Sequence, residues 1–200
     1  MQTNTLLACW GGLIHDLGKM VYRAGAGSEN HSASGAKWLA SLPVEWSKAA
    51  PLLDCVRYHH ARQIKDAGLP PDSPAYIVYV ADNIAAAADR RKTDSENTAR
   101  FDRSMPLSPV FTHMKGHHPN KAVQLRALDQ TLRMPESSEK IRIGSVQYEA
   151  LLNGLKDGLC AIPEMSEAWI NSLLVVLESF TSTVVSSTSL EESPDISLYD

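Results

Sequence analysis

Histidine and aspartate residues interrupt segments of this sequence whose apolar residues otherwise recur at helical spacing. Four of the seven histidines and two aspartates are predicted to lie at the centres of four helices rather than in loops. A histidine or aspartate buried without a partner costs several kcal/mol unless it is paired or bound to a metal. Packing alone therefore does not explain them, and they predict a polar centre enclosed by helices. The six residues are His15, Asp16, His31, His59, His60 and Asp82.

Apolar periodicity and the positions of proline and glycine predict where the helices lie. Ser73 and Pro74 are typical of a helix start, as an N-cap followed by proline in the first turn. Gly18 and Gly35 are predicted to let helices approach closely around the polar centre. The segment Trp169–Val185 has an amphipathic pattern and predicts a packing helix rather than a membrane span. Helices are predicted over roughly 6–17, 31–42, 51–65, 74–91, 146–160 and 164–185, with a short strand around 122–128.

The distribution of charge and cysteine limits the class of protein. The net charge is −4. Residues 1–133 have 16 Lys/Arg against 12 Asp/Glu (+4), and residues 134–200 have 3 against 11 (−8). The basic part fits a module that handles a phosphate substrate. Three scattered cysteines argue for a reducing compartment, and the N-terminus has no signal-peptide pattern, so a cytoplasmic protein is expected.

The predicted polar centre has the ligand chemistry of a divalent-metal site. Histidine and carboxylate suit Mn, Fe, Co, Ni and Zn. Neighbouring residues of a helix point about 100° apart, so His15 and Asp16 are expected to flank a centre between helices rather than chelate from one face. The same argument applies to His59 and His60. This arrangement favours room for two ions and leaves occupancy by one open.

The ordered set of motifs resembles the HD phosphohydrolase superfamily, an all-helical, metal-dependent group. These motifs are HDLGK at 15–19, HSASGA at 31–36, the pair His59-His60, and Asp82 in an alanine-rich helix. Further segments are similar to the N-terminal region of the large subunit of type III-A CRISPR interference complexes. They are WGGLIHDLGKMVYRAG, YVADNIAAAADRR, FDRSMPLSPVF, WINSLLVVLESFTSTVVSST and PDISLYD.

The resemblance implies an all-α fold, with an HD domain in residues 1–105 and a mostly helical linker region in residues 106–195. The linker would lead to a palm domain that this chain lacks, and the apolar pattern that starts at Ile196 stops with the chain, as expected of a boundary inside a longer protein. The family's GGDD signature, which makes cyclic oligoadenylates, is absent from this sequence. That activity is therefore not expected here.

The function implied is sequence-non-specific cleavage of single-stranded DNA by metal-activated water. Mn, Ni or Co is expected, as one or two ions, held by His15, Asp16, His31, His59, His60 and Asp82. His15, Asp16 and Lys19 are the expected catalytic residues, with Lys19 stabilising charge on the phosphate. Expected partners are single-stranded DNA, the palm domains of the same polypeptide and other subunits of a guide-RNA complex. Basic residues expected to bind nucleic acid are Arg90, Arg91, Lys92, Lys115 and Lys121.

Two other functions stay open on the sequence. The same centre serves nucleotidases and phosphodiesterases that act on small nucleotides, and fold does not settle substrate. A saturated, structural metal site in an assembly module is the other alternative. Many HD enzymes also have a ligand histidine upstream of the HD pair, and none precedes His15 here. His113, His117 and His118 are the remaining candidates for that ligand.

Overall fold

The computed structural model describes most of the chain, which divides into two compact units. One unit comprises Met1–Arg90 and Lys156–Leu174, and the other comprises Arg91–Leu155 and Val175–Asp200. The predicted domain boundary at residue 105 stays a prediction. The described residues are 3–27, 30–89, 102–110, 120–129, 131, 135–141, 143–188 and 195–200.

The first unit is built from short helices that enclose an apolar core. Helix α1 (Thr3–Ile14) packs against α4 (Ala50–Arg57) and α6 (Pro74–Asp89), and α3 (His31–Ala40) packs between α2 (Gly18–Arg23) and α4. Trp10 is fully buried and meets the ring of Trp46 edge-on, with ring centroids 5.2 Å apart. The indole Nε1 of Trp46 donates a hydrogen bond of 2.8 Å to the carbonyl of Ile162. The unit also contains helix α5 (Ala61–Lys65).

Capping residues explain where two of these helices begin. Asn30 is the N-cap of α3, and its Oδ1 accepts hydrogen bonds from the backbone N of Ala33 and the hydroxyl of Ser32. This satisfies donors that the first turn of a helix leaves free. Helix α6 begins at Pro74, as predicted, with the Ser73 hydroxyl 3.4 Å from the backbone N of Ala75.

Helices α2 and α3 touch through glycine, which confirms the predicted role of Gly18 and Gly35. A Cβ on Gly18 would lie 1.8 Å from the carbonyl oxygen of His31 and 3.0 Å from the Cα of Gly35. Any larger residue at position 18 would therefore push the start of α3 away from α2. This contact holds His31 beside the segment that contains His15 and Asp16.

Two predicted helices are interrupted, and the interruptions fall at the chemically important residues. The prediction of one helix through residues 6–17 and the HDLGK segment is wrong, because α1 ends at Ile14 and α2 begins only at Gly18. The prediction of one helix over 51–65 is also wrong. Helix α4 ends at Arg57, and His60 has extended backbone (φ −111°, ψ 146°) before α5. The sequence signals for these breaks are weak, because the apolar periodicity continues across both.

The second unit has little regular structure besides parts of two helices. Lys121–Ala122 (β1) pairs antiparallel with Glu136–Ser137 (β2), so the strand predicted over 122–128 is much shorter and starts earlier. Beyond β1, the backbone carbonyl of Arg126 accepts a hydrogen bond of 2.6 Å from the hydroxyl of Thr183 instead of pairing with a strand. The remaining β structure among the described residues is one isolated bridge, between Val185 and Ser197.

The two C-terminal helices occur close to where the sequence predicts them. Helix α7 covers Ser145–Cys160, and α8 covers Ile170–Thr181 after a short 3-10 turn at Glu167–Trp169. The predicted all-α class is thus confirmed. Among the described helices, none combines the length and the apolarity needed to cross a membrane.

Candidate metal centre

The HD pair lies in the turn between α1 and α2, not inside a helix. The backbone N of Leu17 donates to the carbonyl of Ile14, and the N of Lys19 donates to the carbonyl of Asp16. The turn therefore lets two adjacent side chains approach one centre. The prediction that these residues lie at the centre of a helix is wrong, and the 100° argument does not apply to them.

Three of the other four candidate residues also converge because of where their elements begin or break. His31 is the first residue of α3, and His59 and His60 lie in the break between α4 and α5. The prediction that His59 and His60 point 100° apart on one helix is wrong, because the break turns both imidazoles toward His31. Asp82 alone lies in mid-helix, in α6.

Backbone carbonyls set the orientation of two histidines. His15 Nδ1 lies 2.7 Å from the carbonyl of Gly12, and His59 Nδ1 lies 2.7 Å from the carbonyl of Val56. A carbonyl can only accept, so each Nδ1 carries a proton, and Nε2 has the lone pair whenever the imidazole is neutral. Both carbonyls belong to the last turn of a helix, where they have no partner within the helix. Such bonds to the outer nitrogen are how proteins commonly orient metal-binding histidines.

Three imidazoles bring their Nε2 atoms together. His31 Nε2 lies 2.8 Å from His60 Nε2 and 3.4 Å from His59 Nε2. The ligand atoms of these three residues all lie within 4.8 Å of one another. Lone pairs on nitrogens this close repel each other unless a proton or a cation neutralises them. The cluster is therefore suited to a divalent cation.

The Asp16 carboxylate lies between this cluster and His15. Its Oδ1 is 3.5 Å from His31 Nε2 and 3.6 Å from His59 Nε2. Its Oδ2 is 3.5 Å from His15 Nε2, which also lies 3.5 Å from Oδ1 of Asp82. The two oxygens of Asp16 thus face two groups of candidate ligands.

Two buried atoms at the centre lack hydrogen bonds. Within the described part of the chain, Nε2 of His15 and Oδ1 of Asp16 are buried and have no hydrogen-bond partner. Their contacts of 3.5–3.6 Å are too long to satisfy them. Buried polar atoms are normally satisfied. An acceptor nitrogen and a carboxylate oxygen left free side by side fit a cation, so the residues present fit the divalent metal that an HD centre implies.

The electrostatics keep most of the candidate ligands in the protonation states that bind a metal. Burial lowers the pKa of His59 to about 3 and that of His31 to about 4, so both are neutral at pH 7. Burial also lowers the pKa of His60. Burial opposes ionisation of Asp16, but the Lys19 ammonium and the nearby histidines outweigh it and hold the pKa of Asp16 well below its usual range. Neutral imidazole and ionised carboxylate are the forms that bind metals.

His15 and Asp82 form a separate couple. Burial disfavours the charged form of His15, yet the contact with Asp82 and the charge of Asp16 together raise its pKa. Burial opposes the ionisation of Asp82, and the contact with His15 outweighs it and lowers the pKa of that carboxyl. A cation bound here would take the place of the proton on His15.

Lys19 contacts a ligand directly. Its Nζ lies 2.6 Å from Oδ2 of Asp16. The predicted role for Lys19, stabilising charge on a phosphate, stays a prediction, and the ion pair adds a contact that the sequence did not indicate. The side chains at the rim are partly exposed, with 24% exposure for Lys19 and for Asp82 and 26% for His31. The centre is therefore open to solvent at this edge.

Most of the predicted nucleic-acid contacts lie outside the described residues. This holds for Arg90, Arg91, Lys92 and Lys115, and for the candidate extra ligands His113, His117 and His118. Lys121 is described and is exposed in β1. Sequence reasoning missed the orienting carbonyls of Gly12 and Val56. The signal that could have indicated these carbonyls is the spacing, because each lies in the last turn of a helix, three residues before a histidine.

Comparison with known proteins agrees with this geometry. The HD domain family matches residues 2–87. A relative from Enterococcus italicus, named a CRISPR system single-strand-specific deoxyribonuclease Cas10/Csm1 of subtype III-A, is 34% identical over 96% of this chain and 26% of its own length. The crystal structure of Csm1 in T. onnurineus is 30% identical and superimposes with a TM-score of 0.72 over 100% of this chain and 26% of that one. A Csm1–Csm4 subcomplex of the type III-A CRISPR-Csm interference complex gives a TM-score of 0.68, with 30% identity over 98% of this chain and 26% of that one.

The fold and the clustered histidines and aspartates thus define an HD domain. Over its whole length, the chain corresponds to the N-terminal HD region of the Cas10/Csm1 proteins of subtype III-A. It spans about a quarter of the length of the relatives it matches. An HD domain with this histidine cluster is a divalent-metal site by its chemistry.

Proposed function

We propose that this chain is a metal-dependent nuclease domain that hydrolyses single-stranded DNA without sequence specificity. The observation that carries the proposal is the pair of unsatisfied atoms, His15 Nε2 and Asp16 Oδ1, beside three converging imidazoles. When bound, a divalent ion supplies Lewis-acid activation of water and of the phosphodiester. We expect Mn, Ni or Co, because these borderline metals accept histidine and carboxylate together.

The ligands are divided between the two oxygens of Asp16. His31, His59 and His60 would hold a metal on the side of Oδ1, and His15 with Asp82 on the side of Oδ2. One or two ions are compatible with this division. Asp16 is the residue best placed to accept a proton from attacking water, because its carboxylate lies among all the other candidate ligands.

Lys19 is assigned a charge-stabilising role beside the reacting phosphate. Its ammonium is partly exposed and is held at the centre by Asp16. A cation at this place can neutralise charge that develops on phosphate oxygens without taking part in proton transfer. Arg90, Arg91, Lys92, Lys115 and Lys121 are proposed to bind the phosphate backbone further from the centre, in a manner that does not read base sequence.

The open edge of the centre favours a polymer over a small nucleotide. His31 and Asp82 are partly exposed at the rim, and similar proteins are named single-strand-specific deoxyribonucleases. Free cysteines at positions 9, 55 and 160 support a reducing, cytoplasmic location. The alternative is hydrolysis of small nucleotides, and a comparison of DNA with nucleoside phosphates as substrates distinguishes the two functions.

A role in assembly is a second candidate, favoured by the outer face of α6. Ile77, Val80 and Ile84 are 56%, 51% and 68% exposed and lie on the side of α6 opposite to Asp82. An exposed apolar row of this kind is typical of a surface that binds another protein segment. We propose that the remaining part of a Cas10/Csm1-like polypeptide covers it, within an effector complex of several subunits. Exchange of Ile84 for Lys would then weaken association with that remaining part and leave metal binding unchanged.

The experiment that tests the nuclease proposal compares substrates and metals on one preparation. The folded chain is incubated with labelled single-stranded DNA, duplex DNA or nucleoside phosphates in Mn²⁺, Ni²⁺, Co²⁺, Mg²⁺ or EDTA. We expect metal-dependent cleavage of single strands that is lost in the His15→Ala/Asp16→Ala variant. Turnover of nucleoside phosphates alone would favour the small-molecule enzyme, and a metal-loaded but inert chain would favour assembly.

A further inference from the structure

Three exposed basic residues flank the histidine pair in the break between α4 and α5. Arg57 ends α4, and Arg62 and Lys65 lie in α5, which begins immediately after His60. All three are exposed, whereas Ile64 of the same short helix is buried. We call Arg57, Arg62 and Lys65 the basic rim.

The chain connection places the basic rim close to the metal centre. Consecutive Cα atoms are about 3.8 Å apart, so the Cα of Arg62 lies within about 7.6 Å of that of His60. Lys65 follows one helical turn later, and the five residues of α5 span only about 7.5 Å. His60 itself lies within the histidine cluster, 2.8 Å from His31 through Nε2.

The basic rim retains a net positive charge. Within the described residues, neither Arg62 nor Lys65 forms an ion pair. The acidic groups nearest in sequence are Asp54, which is half-buried in α4, and Asp66, which is exposed at the end of α5. The rim therefore carries three positive charges against two carboxylates, a net charge of +1.

We propose that the basic rim binds the phosphate backbone of single-stranded DNA next to the scissile bond and leads the strand to the metal centre. The inference rests on the proposed nuclease function and adds a binding surface that the nucleic-acid residues predicted from the sequence do not include. Lysine and arginine along a strand bind phosphates irrespective of base, by releasing counterions.

The test measures binding in EDTA, so that it does not depend on cleavage. Affinity for a labelled oligothymidylate is measured by fluorescence anisotropy over a range of salt concentrations, for the wild-type chain and for Arg62→Ala/Lys65→Ala. Each phosphate contact to a single strand contributes about 0.7 to the slope of log K against log salt. Loss of two contacts is expected to reduce that slope by about 1.4 and to weaken binding about tenfold at low salt.

Two controls keep the result specific. The swap Arg62→Lys/Lys65→Arg preserves charge and is expected to retain affinity and slope. Lys140→Ala/Lys156→Ala removes the same charge from exposed positions elsewhere and is expected to change neither. An unchanged slope in Arg62→Ala/Lys65→Ala, an equal loss in the Lys140/Lys156 control, or no binding by the wild-type chain would overturn the proposal. Because no metal is present, the outcome stands whether or not the chain proves to be a nuclease.

Discussion

The ammonium of Lys19 lies 2.6 Å from Oδ2 of Asp16, on the carboxylate whose other oxygen faces His31 and His59. The ion pair contributes to keeping Asp16 ionised despite its burial. It also places a positive charge close to the position where a divalent cation is proposed to bind. Lys19 and a metal on Oδ2 therefore compete for the same oxygen.

Replacement of Lys19 by Met should strengthen metal binding. The change removes a competing cation from Asp16 and a repulsive charge from the centre, and we expect Mn²⁺ affinity to rise about fivefold. Isothermal titration calorimetry with Mn²⁺ measures the effect. Lys37→Met, at an exposed position of α3, serves as the matched control and should leave affinity unchanged. Weaker Mn²⁺ binding in Lys19→Met would show that Lys19 supports the ligands rather than competing with metal.

Replacement of Gly18 by Ala should separate α2 from α3. The added Cβ would lie 1.8 Å from the His31 carbonyl, and overpacking of backbone against backbone is expected to cost about 3 kcal/mol of unfolding free energy. Urea denaturation measures this loss. Gly12→Ala is the control, because a Cβ there meets no heavy atom within 4 Å, and it should be neutral or stabilise α1 by up to ~1 kcal/mol. Equal stability of the two variants would contradict the close contact.

Removal of the Asn30 side chain should affect both stability and the position of His31. Asn30→Ala loses the cap of α3, for an expected cost of ~1 kcal/mol in unfolding free energy. Because His31 is the next residue, Mn²⁺ affinity should fall as well, whereas Asn30→Asp keeps an acceptor and should retain both properties. Stability and affinity are read on the same samples by urea denaturation and calorimetry. A destabilised Asn30→Ala variant with wild-type Mn²⁺ affinity would rule out the positioning role.

Acidification should destabilise the metal-free chain. The pKa values of His59 and His31 are lowered by burial to about 3 and about 4, so between those values and about 6.5 the unfolded chain binds more protons than the folded one. Stability therefore rises with pH across this window, by up to about 1.4 kcal/mol per pH unit for each group. The raised pKa of His15 affects stability at pH values above this window, and the lowered pKa of Asp16 affects stability at pH values below it.

Urea denaturation in EDTA between about pH 4.5 and 6 measures this dependence. The His59→Gln variant lacks one of the two groups and should show a shallower rise. Stability that falls with increasing pH over this interval would contradict neutral, buried histidines at the centre.

The sequence predicted the composition of the centre better than its local structure. Gly18 and Gly35 were correctly predicted as positions of close approach, and α6 begins at the predicted Pro74. The breaks at His15-Asp16 and at His59-His60 were not predicted, because local apolar periodicity continues through them and tertiary contacts decide the backbone there. The same limit explains the missed carbonyls of Gly12 and Val56, because the histidine spacing that indicates them can be used only when the end of each helix is known.

Calorimetric titration of Mn²⁺ into the wild-type chain and into Asp16→Asn tests the central claim most directly. The substitution preserves shape but removes the charge that the account places between both groups of ligands. We expect the wild-type chain to bind one or two ions and a folded Asp16→Asn variant to bind at least tenfold more weakly. Equal affinity in the two proteins, or no binding by the wild-type chain, would contradict the assignment of this cluster as the metal centre.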